Sequence, residues 1–326
     1  MDVLELAAQF RKALESQNAE AIKRLVEAYQ VIFGRMQGDI DALMLKIDGE
    51  LTVSQAQKLA QYRRLMSNMQ GELEKYAGTL NLEITKEARL AMLRAEKDAR
   101  LLVKAAYFGN DAVIAGWQPV PDRVVQTLLG FLAPDGALYK RIDEMPAYTA
   151  ERVSKVIIEG VGLGKNPNVI AREITRAFGG SLTDAMRMTR TAQICTYREA
   201  SRANYAANSD IVTGWVWNSA LQPGRTCMSC VAMHGTEHPL SEPLNDHHNG
   251  LCSMIPLVVG GRNPIKQGGE AWFAEQEEGT QKKMLGSKYE LWQEGKVNIE
   301  NMTTIRDDKV YGAMRGEPSL TELGLR

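Results

Sequence analysis

No proline occurs before Pro119, and no histidine occurs outside the stretch from His234 to His248. Cysteine is also scarce: there are four, three of them between Cys227 and Cys252. Each scarcity narrows the possibilities. Without proline, everything before Pro119 is free of the residue that most strongly breaks a helix. Apolar runs stay below the roughly 18 residues that a membrane span requires, so no membrane segment is expected. The opening MDVLELAAQF carries Asp2 and Glu5 where a secretory leader needs positive charge, which predicts a chain that folds in the cytosol. Neither charge sign predominates, with 39 basic residues against 40 acidic ones, so contact with nucleic acid would need a local patch. In a reducing compartment so few thiols do not make a disulfide framework, and the Cys-x-x-Cys at Cys227 and Cys230 points to metal or redox chemistry. Cys195, alone in a helical stretch, reads as a small buried hydrophobe.

At 36.2 kDa the chain is long enough for more than one core. Its first hundred or so residues are rich in Ala, Leu, Glu, Lys, Arg, Gln and Met, which lose little entropy in a helix. Two narrow apolar stripes recur there at helical spacing. One is Ile22, Leu25, Tyr29, Ile32, Met36, Ile40, Leu43 and Ile47; the other is Leu59, Tyr62, Met66, Met69, Leu73, Tyr76 and Leu80. They predict long helices packed side by side, with a stop at Asp48-Gly49, a capping box at Thr52-Val-Ser-Gln55 and a further break near Asn81 and Thr85.

From Pro119 turn dipeptides mix with short apolar runs, which reads as a connector. The helical pattern returns from Glu151. A helix opening at Asn166-Pro167 should end at Gly179-Gly180, and another should run from about Leu182 to Ala207. Arg187, Arg190, Arg198 and Arg202 fall within about a 120° sector of that second helix, a basic face suited to phosphate or to an acidic partner. The period then changes to alternation in IVTGWVWNSA, a strand feeding the Cys-x-x-Cys turn, and SMIPLVVGG forms a second strand after Cys252. Paired, the two strands would hold the ligand-rich loop at one end of a small sheet. Beyond Gly261, Trp272, Phe273, Leu285, Tyr289, Leu291 and Trp292 are spaced as short amphipathic helices, and the tail from Asn298 needs docking to be ordered.

Two cysteines separated by two residues can bind zinc from one turn, because both sulfurs point into the same concavity. Cys227 and Cys230 supply half a tetrahedral site, and DHHNGLC supplies Cys252 with either His247 or His248. Zinc bound there would fix the loop and add its binding energy to local folding. A thioredoxin-like redox motif would sit at a strand-to-helix turn, whereas the residues after Cys230 run into Gly235 and Pro239. An HNH-type nuclease would need a further histidine after His248, and none exists. A zinc hydrolase would need an open ligand position and a base such as Glu237 or Asp246.

The combined pattern is Arg190-Thr191 with Gln193, Gly214-Trp215-Val216-Trp217, Arg225-Thr226-Cys227-Met-Ser-Cys230, Met233-His234-Gly235-Thr236, His247-His248-Asn249-Gly250-Leu251-Cys252 and Ile255-Pro256. The stretch from roughly Val153 to Val259 thereby resembles the phage head morphogenesis domain of Mu F-like minor head proteins. Two positions depart from that family: Gly250 stands where it commonly has cysteine, and His248 where it has proline. The resemblance implies a minor head protein that joins the capsid of a tailed bacteriophage at or near the portal. Its partners would be the portal protein and capsid or scaffold proteins, with packaged double-stranded DNA as a further contact. It implies a place in the virion after assembly in the host cytoplasm, and a structural role in place of an enzymatic one. A metal-dependent, HNH-like nuclease or hydrolase in genome processing is the alternative.

The expected fold is α+β and predominantly helical, a long N-terminal helical bundle or hairpin followed by a small α+β core with a zinc-knuckle-like Cys/His loop. The expected segments are a helical domain over 1–115, a connector over 116–152, the Mu F-like core over 153–260 and a helical tail over 261–326.

Overall fold

The computed structural model describes residues 2–47, 51–133 and 135–325. It is α+β and predominantly helical, with long N-terminal helices ahead of a small sheet. The chain forms two compact units, neither of them one consecutive segment. One comprises residues up to Ser16, Ala88–Ala133 and everything from Thr191; the other comprises Gln17–Glu87 and the stretch up to Arg190 that follows Ala133.

The second unit takes the greater part of α1 (Val3–Met44), α2 (Val53–Lys58), the first half of α3 (Ala60–Ala106), α5 (Ala137–Gly162) and the first half of α6 (Pro167–Ala207). The first stripe becomes a buried seam of Ile22, Leu25, Tyr29, Ile32, Met36, Ile40 and Leu43 on α1; the second does so only from Met69 through Leu73, Tyr76 and Leu80, since Leu59, Tyr62 and Met66 are half-buried and Leu65 and Ile84 take up the seam on α3. Arg24 pairs with Glu83 at 2.7 Å, Arg35 with Glu72 at 2.7 Å, and Asn68 donates to Asp39 at 2.7 Å. The falling order of the α3 partners makes the two helices antiparallel, and Tyr29 meets Tyr76 edge to face at 5.0 Å between them.

The expected capping box forms, with the Thr52 hydroxyl accepting from Gln55 N–H and Gln55 reaching back to Thr52 N–H. The stop expected at Asp48-Gly49 lies outside the described residues. Two expected breaks do not occur. Asn81 and Thr85 sit inside an unbroken α3, because Leu80, Ile84 and Ala88 keep the buried stripe in phase through them. Gly179-Gly180 lies inside α6, and a Cβ on Gly180 would come within 3.0 Å of the Arg152 guanidinium of α5. Gly180 leaves room for that side chain, Gly179 faces open space, and the helix carries on past both. The connector also ends sooner than expected, since α5 begins at Ala137 and accommodates Pro146 in its interior.

The first unit holds α4 (Asp122–Leu128) and a three-stranded antiparallel sheet of β1 (Val212–Asn218), β2 (Glu237–Pro239) and β3 (Ser253–Val258), in the order β2-β1-β3. As the central strand, β1 buries Trp215, Val216 and Trp217 on both of its faces. Gly214 admits β2, because a Cβ there would lie 2.6 Å from the His238 carbonyl oxygen. Beyond β3 come α7's neighbours in the core. Helix α7 (Met228–Met233) buries Met228 and Val231 against Phe273 of α8 (Gly269–Ala274), Leu285 of α9 (Glu278–Leu285) and Tyr289 of α10 (Tyr289–Gln293).

The tail is not wholly helical. It closes with a hairpin of β4 (Thr304–Asp308) and β5 (Gly312–Gly316), which docks on the ligand loop through Arg315 N–H to the Asn245 carbonyl at 2.7 Å. Among the described residues no helix is long and apolar enough to cross a membrane.

Candidate metal centre

Sheet register decides where the cysteines meet. Asn218 at the end of β1 lies opposite Ser253 at the start of β3, so Ser219 and Cys252 leave the same edge of the sheet side by side. The Ser219 hydroxyl donates to the Cys230 carbonyl at 2.6 Å and lies 3.4 Å from Cys252 Sγ. Cys227 caps α7: its extended backbone turns the sulfur back over the first helical turn, where it accepts from Cys230 N–H at 3.3 Å. This strand–loop–helix placement of the Cys-x-x-Cys differs from the turn expected of it. The sheet around it is nonetheless antiparallel, without the βαβ unit of a redox fold.

The loop from Leu240 to Cys252 brings the remaining donors. His247 Nε2 lies 3.1 Å from Cys227 Sγ and 3.2 Å from Cys230 Sγ, while Cys252 Sγ lies 3.3 Å from Cys230 Sγ. Cys230 is thus the hub of two overlapping triads, one with Cys227 and His247 and one with Asp246 and Cys252. The two histidines face different ways. His247 Nδ1 is bonded to the His248 carbonyl at 2.8 Å, which directs Nε2 at the sulfurs, whereas His248 Nε2 faces Asp308 of the hairpin at 3.1 Å.

Tetrahedral zinc with sulfur bonds of about 2.3 Å holds its sulfurs about 3.8 Å apart. The thiol and imidazole contacts are slightly shorter than that, so Cys227, Cys230 and His247 fit the ion after a small outward shift, whereas Cys252, grouped with Cys230 and Asp246, would have to turn toward the other two donors to complete the shell. Their electrostatics suit it as well. The hydrogen bond from Cys230, aided by His247, brings the Cys227 thiol down to about 6 despite its burial, while the same arrangement pushes Cys230 up. Burial works against a charge on His247, but the Cys227 sulfur and the Asp246 carboxylate outweigh it and raise the imidazole to about 10. A thiolate beside an imidazolium is a pair that a dication replaces with release of protons.

Asp246 organises this loop from within. It is almost wholly buried, and it accepts from Arg198 Nη2 at 2.8 Å, His247 N–H at 2.8 Å, Cys252 N–H at 3.4 Å and the Cys230 thiol at 3.4 Å. Burial opposes its charge, and Arg198 with His247 more than offsets that, holding it below the usual carboxylate range. Gly250 is required by the same carboxylate, since a Cβ there would sit 2.0 Å from Asp246 Oδ2. That explains why position 250 carries no thiol in this chain.

The four arginines do not form one basic face. Arg198 is buried, its Nε donating to the Cys252 carbonyl at 2.8 Å and its Nη2 to Asp246. Arg202 is largely covered, paired with Glu199 and donating to the Leu240 carbonyl at 2.7 Å. Arg187 is half-exposed and pairs with Asp184 at 2.8 Å, and Arg190 is exposed. The residues that sequence reasoning missed are therefore Asp246 as organiser and Arg198 as its partner. One signal was present: Arg198 shares its helical face with Ile194, Ser201 and Tyr205, a mostly apolar stripe. Cys195 stands apart from the thiol cluster, partly exposed on α6.

Comparison of the chain with protein-family models, curated proteins and solved structures finds no match.

Proposed function

We propose that this chain is a structural minor head protein of a tailed bacteriophage, with a zinc-clamped loop at the centre of its head-morphogenesis core. The observation that carries the reading is the triad of Cys227, Cys230 and His247, with Cys252 in contact with its shared member Cys230. These are the residues on which the resemblance to Mu F-like proteins rests. With Cys252 turned in beside the triad, four protein donors would fill a tetrahedral shell and leave no position for substrate or an activated water, which favours a structural ion over a hydrolytic one. The virion is the proposed location, the portal and neighbouring capsid or scaffold proteins are the proposed partners, and the long helices of the second unit are the proposed docking elements. Any contact with packaged DNA falls to Arg187 and Arg190, since Arg198 and Arg202 are engaged within the first unit.

Purified protein should carry close to one zinc per chain and show no nicking of duplex DNA with magnesium or manganese. Immobilised portal protein from the same phage should retain it. Zinc-free protein that nicks DNA would overturn the structural reading, and failure to bind portal would overturn the assigned place in the head.

A further inference from the structure

A second site lies beneath the metal loop, on the far side of Arg198. A small cavity of about 20 Å³ is bounded by α1, α3, α6 and the Leu251–Met254 segment, all within the first unit. That volume admits a single occupant about the size of a water molecule. Most of the wall is apolar, including Phe10, Leu14, Leu102 and Ile194. Yet three of the lining side chains bring buried polar atoms that have no hydrogen-bond partner: Arg11 Nη1, Arg198 Nη1 and Tyr205 Oη. Arg198 is 2% exposed and Tyr205 is fully buried.

All three atoms are donors. A guanidinium has no acceptor to offer, and burial keeps the Tyr205 phenol protonated by raising it above its ordinary value. The neighbouring carboxylates are committed elsewhere, while the Cys252 sulfur, which lines the cavity, also acts on Arg11. Asp246 takes the Nη2 edge of Arg198, Asp98 is held by Arg94 and Tyr197, and Glu15 acts on Arg11 without lining the cavity. Arg11 forms no ion pair among the described residues, and its burial lowers the guanidinium from its ordinary value. A buried cation with free donors is costly unless an acceptor meets it. Water would accept from at most two of the three donors and would bring no negative charge to Arg11, whose burial outweighs the influence of Glu15 and Cys252.

We propose that the cavity formed by Arg11, Arg198 and Tyr205 binds a single small monovalent anion of the halide class, chloride in a cell, which ties α1 and α6 to the segment that carries Cys252. None of Arg11, Arg198 and Tyr205 is itself a metal donor, though the proposed donor Cys252 lines the cavity and accepts from Arg198 through its carbonyl, so zinc is measured separately in the test.

The test is thermal unfolding of the full-length protein in sodium chloride against sodium gluconate at equal ionic strength. Gluconate screens charge equally but is too large to enter. The melting midpoint should rise with chloride by about 3 °C more than with gluconate, and the increment should saturate. Arg11→Met should abolish the chloride-specific increment, and Tyr205→Phe should weaken apparent chloride binding about tenfold, the loss of one hydrogen bond to a charge. If Arg11→Met fails to fold, Tyr205→Phe alone decides the matter. Crystals grown in bromide should show an anomalous peak in the cavity. A chloride response no larger than that of gluconate, an increment unchanged in the variants, or a cavity peak without anomalous signal would overturn the site. Zinc content, measured on the same samples, reports separately on the metal centre.

Discussion

Arg198 and Asp246 form an ion pair of 2.8 Å from which solvent is almost wholly excluded, their side chains being 3% and 1% exposed. The pair joins α6 to the metal loop, and Arg198 Nε extends the link to the carbonyl of the ligand Cys252. Breaking such a pair from one side strands a buried charge. Arg198→Ala should therefore cost about 3–5 kcal/mol in urea unfolding. Arg190→Ala, on an exposed side chain, should stay within about 0.5 kcal/mol of the parent. Equal effects would mean that the pair does not organise the loop.

Gly250→Ala places a methyl group against Asp246 Oδ2. The carboxylate has to move, and its bonds to Arg198 and His247 move with it. A loss of at least about 2 kcal/mol is expected, accompanied by weaker zinc retention against a chelator. Measuring both separates crowding that merely strains the loop from crowding that displaces His247.

Metal retention should divide the histidines and the cysteines cleanly. His247→Ala and Cys230→Ser should lose zinc, whereas His248→Ala and Cys195→Ser should keep it, because His248 faces Asp308 and Cys195 lies outside the cluster. Retention should also fall on acidification through about 6, where the metal-free Cys227 thiolate takes up its proton. Zinc analysis after dialysis at graded pH reads this directly.

His234 provides a pH dependence of folding itself. Its Nδ1 accepts from Ser219 N–H at 3.0 Å, and burial together with the charge of Arg11 lowers the imidazole from 6.5 to about 4. Being depressed in the folded state, it contributes no loss above 6.5. As pH falls from there to about 4, the unfolded chain binds the proton first and stability declines. Asp246, also depressed when folded, adds its own loss at lower pH, as it is protonated below the usual carboxylate range. The urea midpoint should drop between pH 7 and 4.5, and His234→Gln should flatten the upper part of that fall. A midpoint that stays level in the parent would contradict the role of His234.

The hairpin of β4 and β5 covers the loop through Arg315 to Asn245 and Glu242, and through Asp308 to His248. Ending the chain before Thr304 should expose the stretch from Leu240 to Asn249 to protease, with cleavage read by mass spectrometry. Zinc should slow that cleavage.

Local pattern was enough for the long helices, the capping box at Thr52 and the pairing of the two main strands that bring Cys230 and Cys252 together, because spacing along one chain encodes which residues share a helical face or a turn. It was insufficient wherever a residue's meaning depends on what packs against it. Gly179-Gly180 has the chemistry of a helix end, yet Arg152 of α5 makes it a place of close approach. Asn81 has a weak helical preference that burial on either side overrides. Arg198 looks like one of a row of surface charges, and only the arrival of Asp246 from a loop distant in sequence makes it a buried partner. Propensity and periodicity are properties of neighbours in sequence, so the composition of the elements was legible from residue order alone. The partner of a buried charge, the histidine that faces the sulfurs and the cavity between α1 and α6 arise from contacts between distant segments, and desolvation gives those contacts their energy only once the chain has folded.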